Sequence, residues 1–233
     1  MAVKPKSSTQ EPTPPAPTPV RAKTTSDGLD LMEWLQVNSR LVGGAAAVIA
    51  VVAAGYWFYL RSQQIKTINA ERSLMQAEQS LSSGNTALAT SDLQRVVTRY
   101  KGTGAGTEAA MLLAQTDYNT AKYQEGINVL AGISGKAGGS EGAVQSLIGD
   151  GYSQMGKAGD AAKAYERAAS ASIYDNERAY YRAKAARSYT TAGNIGEARR
   201  LWTELSNDQK SQSVAAEARV RLAELDAKRA GKT

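Results

Sequence analysis

The 233-residue sequence contains no cysteine and no histidine. Without cysteine, the chain has no disulfides, no thiol catalysis and no cysteine-ligated metal. Without histidine, it lacks the commonest general base, the commonest metal ligand and the side chain that titrates near neutral pH. We therefore predict a protein that is not an enzyme, with no catalytic residue, metal site or cofactor. A carboxylate or Ser/Lys mechanism is the catalytic alternative, although no such motif stands out.

The chain also has only a small excess of positive over negative charge. The chain has 28 Lys and Arg against 22 Asp and Glu, a net charge of +6, and the two signs are intermixed. Nucleic-acid binding needs a clustered basic patch, so we expect no nucleic-acid partner. We also expect no small-molecule substrate, in keeping with the predicted absence of a catalytic site. Acids and bases recur at helical spacing, as in Glu217 with Arg221 and Glu224 with Lys228, which predicts ion pairs on helix surfaces.

One long stretch, residues 41–60, has no charged side chain (LVGGAAAVIAVVAAGYWFYL). A helix of this length spans about 30 Å, the thickness of the hydrocarbon core of a bilayer. Aromatic rings at its end and an arginine on each side are typical of a retained transmembrane helix. The residues predicted to anchor it at the membrane interfaces are Arg40, Tyr56, Trp57, Tyr59 and Arg61.

Two alternatives to a retained span are a cleaved export signal and a buried soluble helix. An export signal normally lies within the first 15 to 30 residues, roughly, whereas here about 40 residues precede the apolar run. Val52 and Ala54 imitate a cleavage site, but the apolar run continues past them to Leu60. A retained anchor is therefore the favoured interpretation.

Two segments precede the span. Residues 1–28 include EPTPPAPTPV, whose Pro-rich composition predicts a disordered tail. Residues 29–40 form a juxtamembrane segment in which Asp30 is a candidate helix N-cap and Leu31, Trp34 and Leu35 share one face. This segment is either a short helix along the membrane interface or an extension of the span.

Residues 61–233 form the remaining domain, and proline is absent from residue 66 onward. Its apolar period is that of helices, and β-branched runs are few, so we predict an all-α fold without strands. Short Gly or Asn clusters are expected to interrupt the helices near 83–85, 102–106, 131–139, 156–159 and 193–194. These interruptions indicate helix hairpins.

An internal repeat supports the hairpins. The series Tyr152, Gly156, Ala161, Tyr165, Ala168 matches the series Tyr189, Gly193, Ala198, Trp202, Leu205 at a constant offset of 37. Earlier, fainter copies contain Gly84, Ala89, Leu93 and Val96, and then Tyr118, Tyr123, Gly126, Leu130 and Ile133. The spacing is close to the tetratricopeptide (TPR) period of about 34 residues. The repeat predicts a TPR-like α-solenoid of about four helix pairs.

Close packing within the pairs requires small side chains opposite bulky ones. We predict one such contact between Gly149 and Tyr165. The exposed face of the last pair needs a cover. The final helical stretch, VAAEARVRLAELDAKR, aligns Val214, Ala218, Leu222 and Leu225 on one side and is predicted to be a capping helix, although it could alternatively bind a partner.

The order of these parts resembles the single-pass, TPR-like ancillary subunit family of the bacterial Sec translocon. The resemblance covers about residues 30–233, from EWLQVNSRLVGG through GYWFYLRSQQ to AERSLMQAEQSLSSGN. It implies a non-catalytic protein of the bacterial inner membrane with a cytoplasmic N-terminus and a periplasmic helical domain. The partners it implies are translocon subunits and periplasmic chaperones. Basic residues near the span are evenly divided between its two sides, so orientation depends on the resemblance.

The first helices of successive pairs are expected to line a concave groove that binds protein segments. The predicted groove residues are Gln115, Tyr118, Asn119, Asp150, Gln154, Tyr180 and Arg187. We expect a membrane-tethered scaffold that links the translocon to chaperones. The alternative is a scaffold for a different envelope assembly, in outer-membrane biogenesis, division or secretion.

Overall fold

The structure, a computed structural model, describes residues 34–230, and side chains through 228. The predicted tail, Asp30 and Leu31 lie outside the described residues. Every regular element between residues 34 and 230 is helical, and this range contains no strand. The backbone contacts divide the chain into two units, with the boundary between Trp57 and Phe58.

The first long helix, α1, spans Ser39–Ser82 and contains the whole apolar run. Residues 34–37 are also helical and are followed by a turn at Asn38. Of the most hydrophobic 18-residue window of α1, 0% is buried, and the helix is long and apolar enough to cross a membrane. The five predicted anchor residues, Arg40, Tyr56, Trp57, Tyr59 and Arg61, are all exposed on α1.

Helix α1 does not end with the apolar run but continues for 22 residues beyond Leu60. From Ala70 onward one face is buried, through Ala70, Leu74 and Ala77. These three side chains pack with Leu93 of the following helix in one hydrophobic cluster. The last part of α1 is therefore the first helix of the repeat domain.

The elements after α1 alternate with short connections. They are α2 (Thr86–Arg99), α3 (Gly104–Asn119), α4 (Tyr123–Ala131), a short 3-10 helix (Gly138–Ser140), α5 (Glu141–Gln154), α6 (Ala158–Ala171), α7 (Asp175–Thr191), α8 (Ile195–Ser206) and α9 (Gln212–Ala230). From α2 onward each helix packs on the next, and α3 also contacts α5 while α7 contacts α9. The pairs are the end of α1 with α2, α3 with α4, α5 with α6, and α7 with α8. The predicted solenoid of four pairs and a final helix is confirmed.

The repeat register is visible in the buried side chains. Each pair has a buried small residue at one equivalent position, followed four residues later by a buried bulky residue and three residues after that by a third buried residue. The buried small residues are Ala89, Gly126, Ala161 and Ala198, and the bulky ones are Leu93, Leu130, Tyr165 and Trp202. Helix α9 completes the core with Ala218 and Leu225 buried and with Val214 and Leu222 partly buried against the last pair. The predicted capping helix is confirmed.

The turns inside the pairs share one backbone conformation. Gly84, Gly156 and Gly193 have φ of 77°, 72° and 78° at equivalent repeat positions. The second pair has Ala121 there, with φ 60°, the left-handed region that favours glycine. The prediction of helix breaks missed this turn because it contains no glycine.

Other predicted breaks need adjustment. The interruption expected at 102–106 is shorter, because α3 begins at Gly104 with Thr103 accepting the Gly106 amide as its N-cap. The interruption at 156–159 likewise ends where α6 begins, at Ala158. The breaks at 172–174 and 207–211 were not predicted. The first of these contains neither glycine nor proline, so it carries no strong turn signal.

Candidate partner-binding groove

The predicted groove residues all lie on first helices of their pairs. Gln115, Tyr118 and Asn119 are on α3, Asp150 and Gln154 on α5, and Tyr180 and Arg187 on α7. Five of them are exposed, whereas Asp150 and Tyr118 are partly buried. This placement agrees with a surface formed by first helices, and partner contact through it stays a prediction.

An ion pair joins α5 to α7 within this surface. Lys184 Nζ lies 2.6 Å from Asp150 Oδ1 and also donates to Ser146 Oγ at 3.3 Å. The Tyr165 hydroxyl donates to the same Asp150 oxygen at 2.6 Å. Asp150 therefore accepts from two neighbouring helices, which fixes its orientation and occupies the carboxylate oxygen that faces them.

Two aromatic rings lie close to the ammonium group of Lys184. Its ammonium lies 4.5 Å from the ring centroid of Tyr165 and 5.6 Å from that of Tyr180. Both distances are within the range of cation–π attraction. Burial, and then the hydrogen bond to Asp150, raise the pKa of Tyr165 far above its usual value. The structure thus brings Asp150 and Tyr180, both predicted groove residues, into contact with one lysine.

A second ion pair joins α7 to α9. Arg187 Nε and Nη2 donate to the two carboxylate oxygens of Glu217 at 2.8 and 2.5 Å, a bidentate arrangement. The hydrogen bond from Arg187 lowers the pKa of Glu217. Arg221 Nε lies 3.6 Å from Glu217, so the predicted Glu217–Arg221 pair is present. Glu224 pairs with Arg221 at 3.0 Å rather than with Lys228 as predicted.

Arg187 lies between two shallow cavities. One, of about 270 Å³, is lined by residues of α5, α6 and α7 that include Ser153, Tyr165 and Lys184. The other, of about 260 Å³, is lined by Trp202 together with residues of α7 and α9. Both mix aromatic surface with charged groups. Such a surface suits polar peptide segments with apolar anchors better than a purely apolar ligand.

The Tyr118 side chain packs against neighbouring helices. Its hydroxyl donates to the Leu147 carbonyl at 3.0 Å. A Cβ atom at Gly126 would lie 2.6 Å from Tyr118 Cε1, and one at Gly151 would lie 2.5 Å from the Tyr118 hydroxyl oxygen. The ring therefore fills a space that exists because both neighbours are glycine. The predicted contact of Gly149 with Tyr165 is confirmed, since a Cβ there would lie 2.6 Å from Tyr165 Cε1.

The sequence prediction did not include Lys184, the partner of Asp150, and it paired Glu217 with Arg221 but not with Arg187. A signal for Lys184 exists: Asp150 and Arg187 occupy equivalent repeat positions, 37 residues apart, and Lys184 lies one helical turn before Arg187. Among the residues that the structure describes, no group of three or more Asp or Glu could hold a metal ion. The arrangement offers hydrogen-bonding and ionic contacts to a polypeptide.

Comparison with known proteins identifies the repeat. The tetratricopeptide repeat-like domain family matches residues 69–185, half of the chain. A crystal structure of nearly identical TPR-like repeats from Podosopora anserina, from a protein assigned as a kinesin light chain, superposes with a TM-score of 0.53 at 17% identity. The superposition covers 69% of this chain and 88% of the Podosopora anserina chain. A point variant of the same repeats gives a TM-score of 0.52 at 18% identity, with the same coverage.

These identities are low, so the two structures show the fold alone. No curated protein sequence matches the chain. TPR-like folds are typically non-catalytic scaffolds for protein interaction, and no enzymatic family is indicated. Because the family match covers half of the chain and the helix pairs agree with it, this chain belongs to the tetratricopeptide repeat-like domain family.

Proposed function

We propose that this chain is a membrane-anchored scaffold that binds protein partners in the cell envelope. The observation that carries the proposal is the apolar stretch of α1, none of whose most apolar window is buried, in a chain that also contains a TPR-like domain. Every face of a helix at residues 41–60 is apolar, which is stable in lipid and costly in water. Interaction repeats on such a helix hold their partners at a membrane.

In the finer form of the proposal, the scaffold links the Sec translocon to periplasmic chaperones. The N-terminus is then in the cytoplasm, residues 41–60 cross the inner membrane, and residues 61–233 are in the periplasm. The order of segments along the chain supports this version through its resemblance to the translocon subunit family. The groove supports it through exposed polar and aromatic side chains on first helices, such as Gln154 and Tyr180.

Anchoring is tested by carbonate extraction of membranes that contain the full chain. The unmodified protein is expected in the membrane pellet. Replacing Ile49 and Ala50 by aspartate introduces two charges that cost about 5–7 kcal/mol at the bilayer centre, so the variant is expected in the supernatant. Ala216→Asp, at an exposed position of α9, is the control and is expected to stay in the pellet. Release of the unmodified chain contradicts the anchor.

Partner identity is tested by photocrosslinking in intact cells from Gln154 and Tyr180, with Lys163 as control. Lys163 is exposed on α6, a second helix, and lies outside the groove. Crosslinks to translocon subunits and periplasmic chaperones from the first two positions, and not from the third, support the proposal. Crosslinks to components of outer-membrane biogenesis, division or secretion support the alternative scaffold. Equal patterns from all three positions contradict a groove-bound partner.

A further inference from the structure

The connections between successive pairs lie at one end of the repeat domain. Because helices alternate in direction, the chain leaves every second helix at the end where the next first helix begins. Connections also contact the first turns of neighbouring helices: a Cβ at Gly142 of α5 would lie 3.3 Å from Ser172 Cβ, and Lys210 Nζ lies 2.7 Å from Oδ2 of Asp175, the first residue of α7. We call this end the interpair surface, formed by residues 100–103, 132–140, 172–174 and 207–211.

The interpair surface begins close to the end of the apolar run. Lys66 Nζ donates to the Lys101 carbonyl at 3.1 Å, which fixes the first connection against α1. Lys66 follows Leu60, the last apolar residue of the run, by six positions, and six residues of helix rise about 9 Å. The residue of α1 that holds the connection at 100–103 therefore lies about 9 Å, along α1, from the end of the apolar run.

The composition of the interpair surface suits a bilayer surface. Ile173 and Tyr174 are 66% and 58% exposed in a connection of three residues. Lys101, Lys136 and Lys210 are exposed on neighbouring connections. Tyrosine favours the headgroup level of a membrane, and lysine is attracted to anionic lipid. The opposite end, at 83–85, 120–122, 155–157 and 192–194, contains no isoleucine or aromatic residue.

We propose that the interpair surface docks on a bilayer that contains anionic lipid. Ile173 and Tyr174 enter the headgroup region, while Lys101 and Lys136 contact lipid phosphates. The inference rests on the proposed membrane anchor, which would bring this end close to the lipid. Docking would restrict the tilt of the solenoid on the membrane and leave the opposite end directed away from the lipid.

The absence of cysteine makes the test direct, because a single introduced cysteine can carry an environment-sensitive fluorophore. The full chain is reconstituted in vesicles in which one lipid in four is phosphatidylglycerol and the rest are phosphatidylcholine. Three single-cysteine variants are labelled: Tyr174→Cys on the interpair surface, Lys157→Cys at the opposite end, and Ala50→Cys in the apolar run. Quenching is measured with nitroxides placed at the lipid headgroup or at mid-chain.

The expected result is headgroup quenching at position 174, mid-chain quenching at position 50, and neither at position 157. Quenching at position 50 with equal, low quenching at 174 and 157 overturns docking and leaves the anchor intact. An absence of quenching at position 50 overturns the anchor and docking together. The two proposals therefore fail in distinguishable ways.

Charge reversal tests the role of lysine. In the Tyr174→Cys background, Lys101→Glu and Lys136→Glu are each expected to lower the ratio of docked to undocked domain roughly fivefold or more. Lys122→Glu, exposed at the opposite end, is the matched control and is expected to leave quenching unchanged. Circular dichroism checks that each variant stays helical. Undiminished quenching at 174 in pure phosphatidylcholine overturns the requirement for anionic lipid.

Discussion

The ammonium of Lys184 lies 2.6 Å from Asp150 and so ties α7 to α5, the first helices of adjacent pairs. The lysine side chain is only 17% exposed, while that of Asp150 is 36% exposed. Partial burial reduces screening by water, which makes this pair stronger than an ordinary surface ion pair. The rings of Tyr165 and Tyr180 lie within cation–π distance of the same ammonium.

A double-mutant cycle on this pair is expected to give a coupling of about 1 kcal/mol in the free energy of unfolding. The variants are Lys184→Met, Asp150→Asn and the combination, and urea denaturation is the measurement. The control cycle uses Arg221 and Glu224, whose side chains are 44% and 50% exposed and whose coupling is expected to be below about 0.5 kcal/mol. Similar couplings for both pairs contradict a special role for Lys184.

Gly149→Ala is expected to destabilise the protein by about 1–3 kcal/mol, because the added methyl group overpacks against the ring of Tyr165. Gly159→Ala, on α6, is the matched control, since a Cβ there meets nothing within 4 Å. The control is expected to keep the free energy of unfolding or to raise it by up to about 1 kcal/mol, because alanine is the better helix former and displaces nothing there. Thermal denaturation of the two variants compares them, and equal stability contradicts the close approach of α5 and Tyr165.

Ala121→Gly is expected to stabilise the protein by about 0.5–1 kcal/mol, because alanine is strained at φ 60° and glycine is not. The reciprocal change at the equivalent turn, Gly156→Ala, is expected to cost about 1 kcal/mol. Chemical denaturation measures both. A loss of stability in Ala121→Gly would show that the side chain contributes packing that outweighs the backbone strain.

The Arg187–Glu217 pair predicts a pH dependence. Because the pKa of Glu217 is lower in the folded protein than its ordinary value of 4.5, its contribution to stability is fully present above that value. It is lost as the pH falls through the lowered folded pKa. Glu217→Gln is therefore expected to differ most from the unmodified chain near neutral pH and least in acid. A stability difference that stays constant with pH contradicts the pair.

The number and register of the helix pairs could be predicted because packing imposes a size pattern on the sequence. Ala161 and Ala198 permit close approach, and Tyr165 and Trp202 fill the space four residues later. The same logic predicted the contact of Gly149 with Tyr165. Local side-chain size carries this information, so one sequence is enough to find it.

Other features depend on context that a local pattern does not contain. The turn at Ala121 has a positive φ without glycine, so the local sequence carries no turn signal there. The sequence contains no helix-ending signal at Leu60, where the apolar run stops. Polar residues that favour helix continue α1 from there into the repeat domain. The pairing of Lys184 with Asp150 joins residues 34 positions apart and becomes recognisable only once the repeat offset is known.

The position of the Tyr118 ring limits how this array could be rebuilt. The ring belongs to the second pair, yet the space that it fills is bordered by Gly151 of the third pair. Exchange, duplication or deletion of a single pair would separate the tyrosine from that glycine. The second and third pairs therefore pack as one unit, and a library that recombines individual repeats should keep them together.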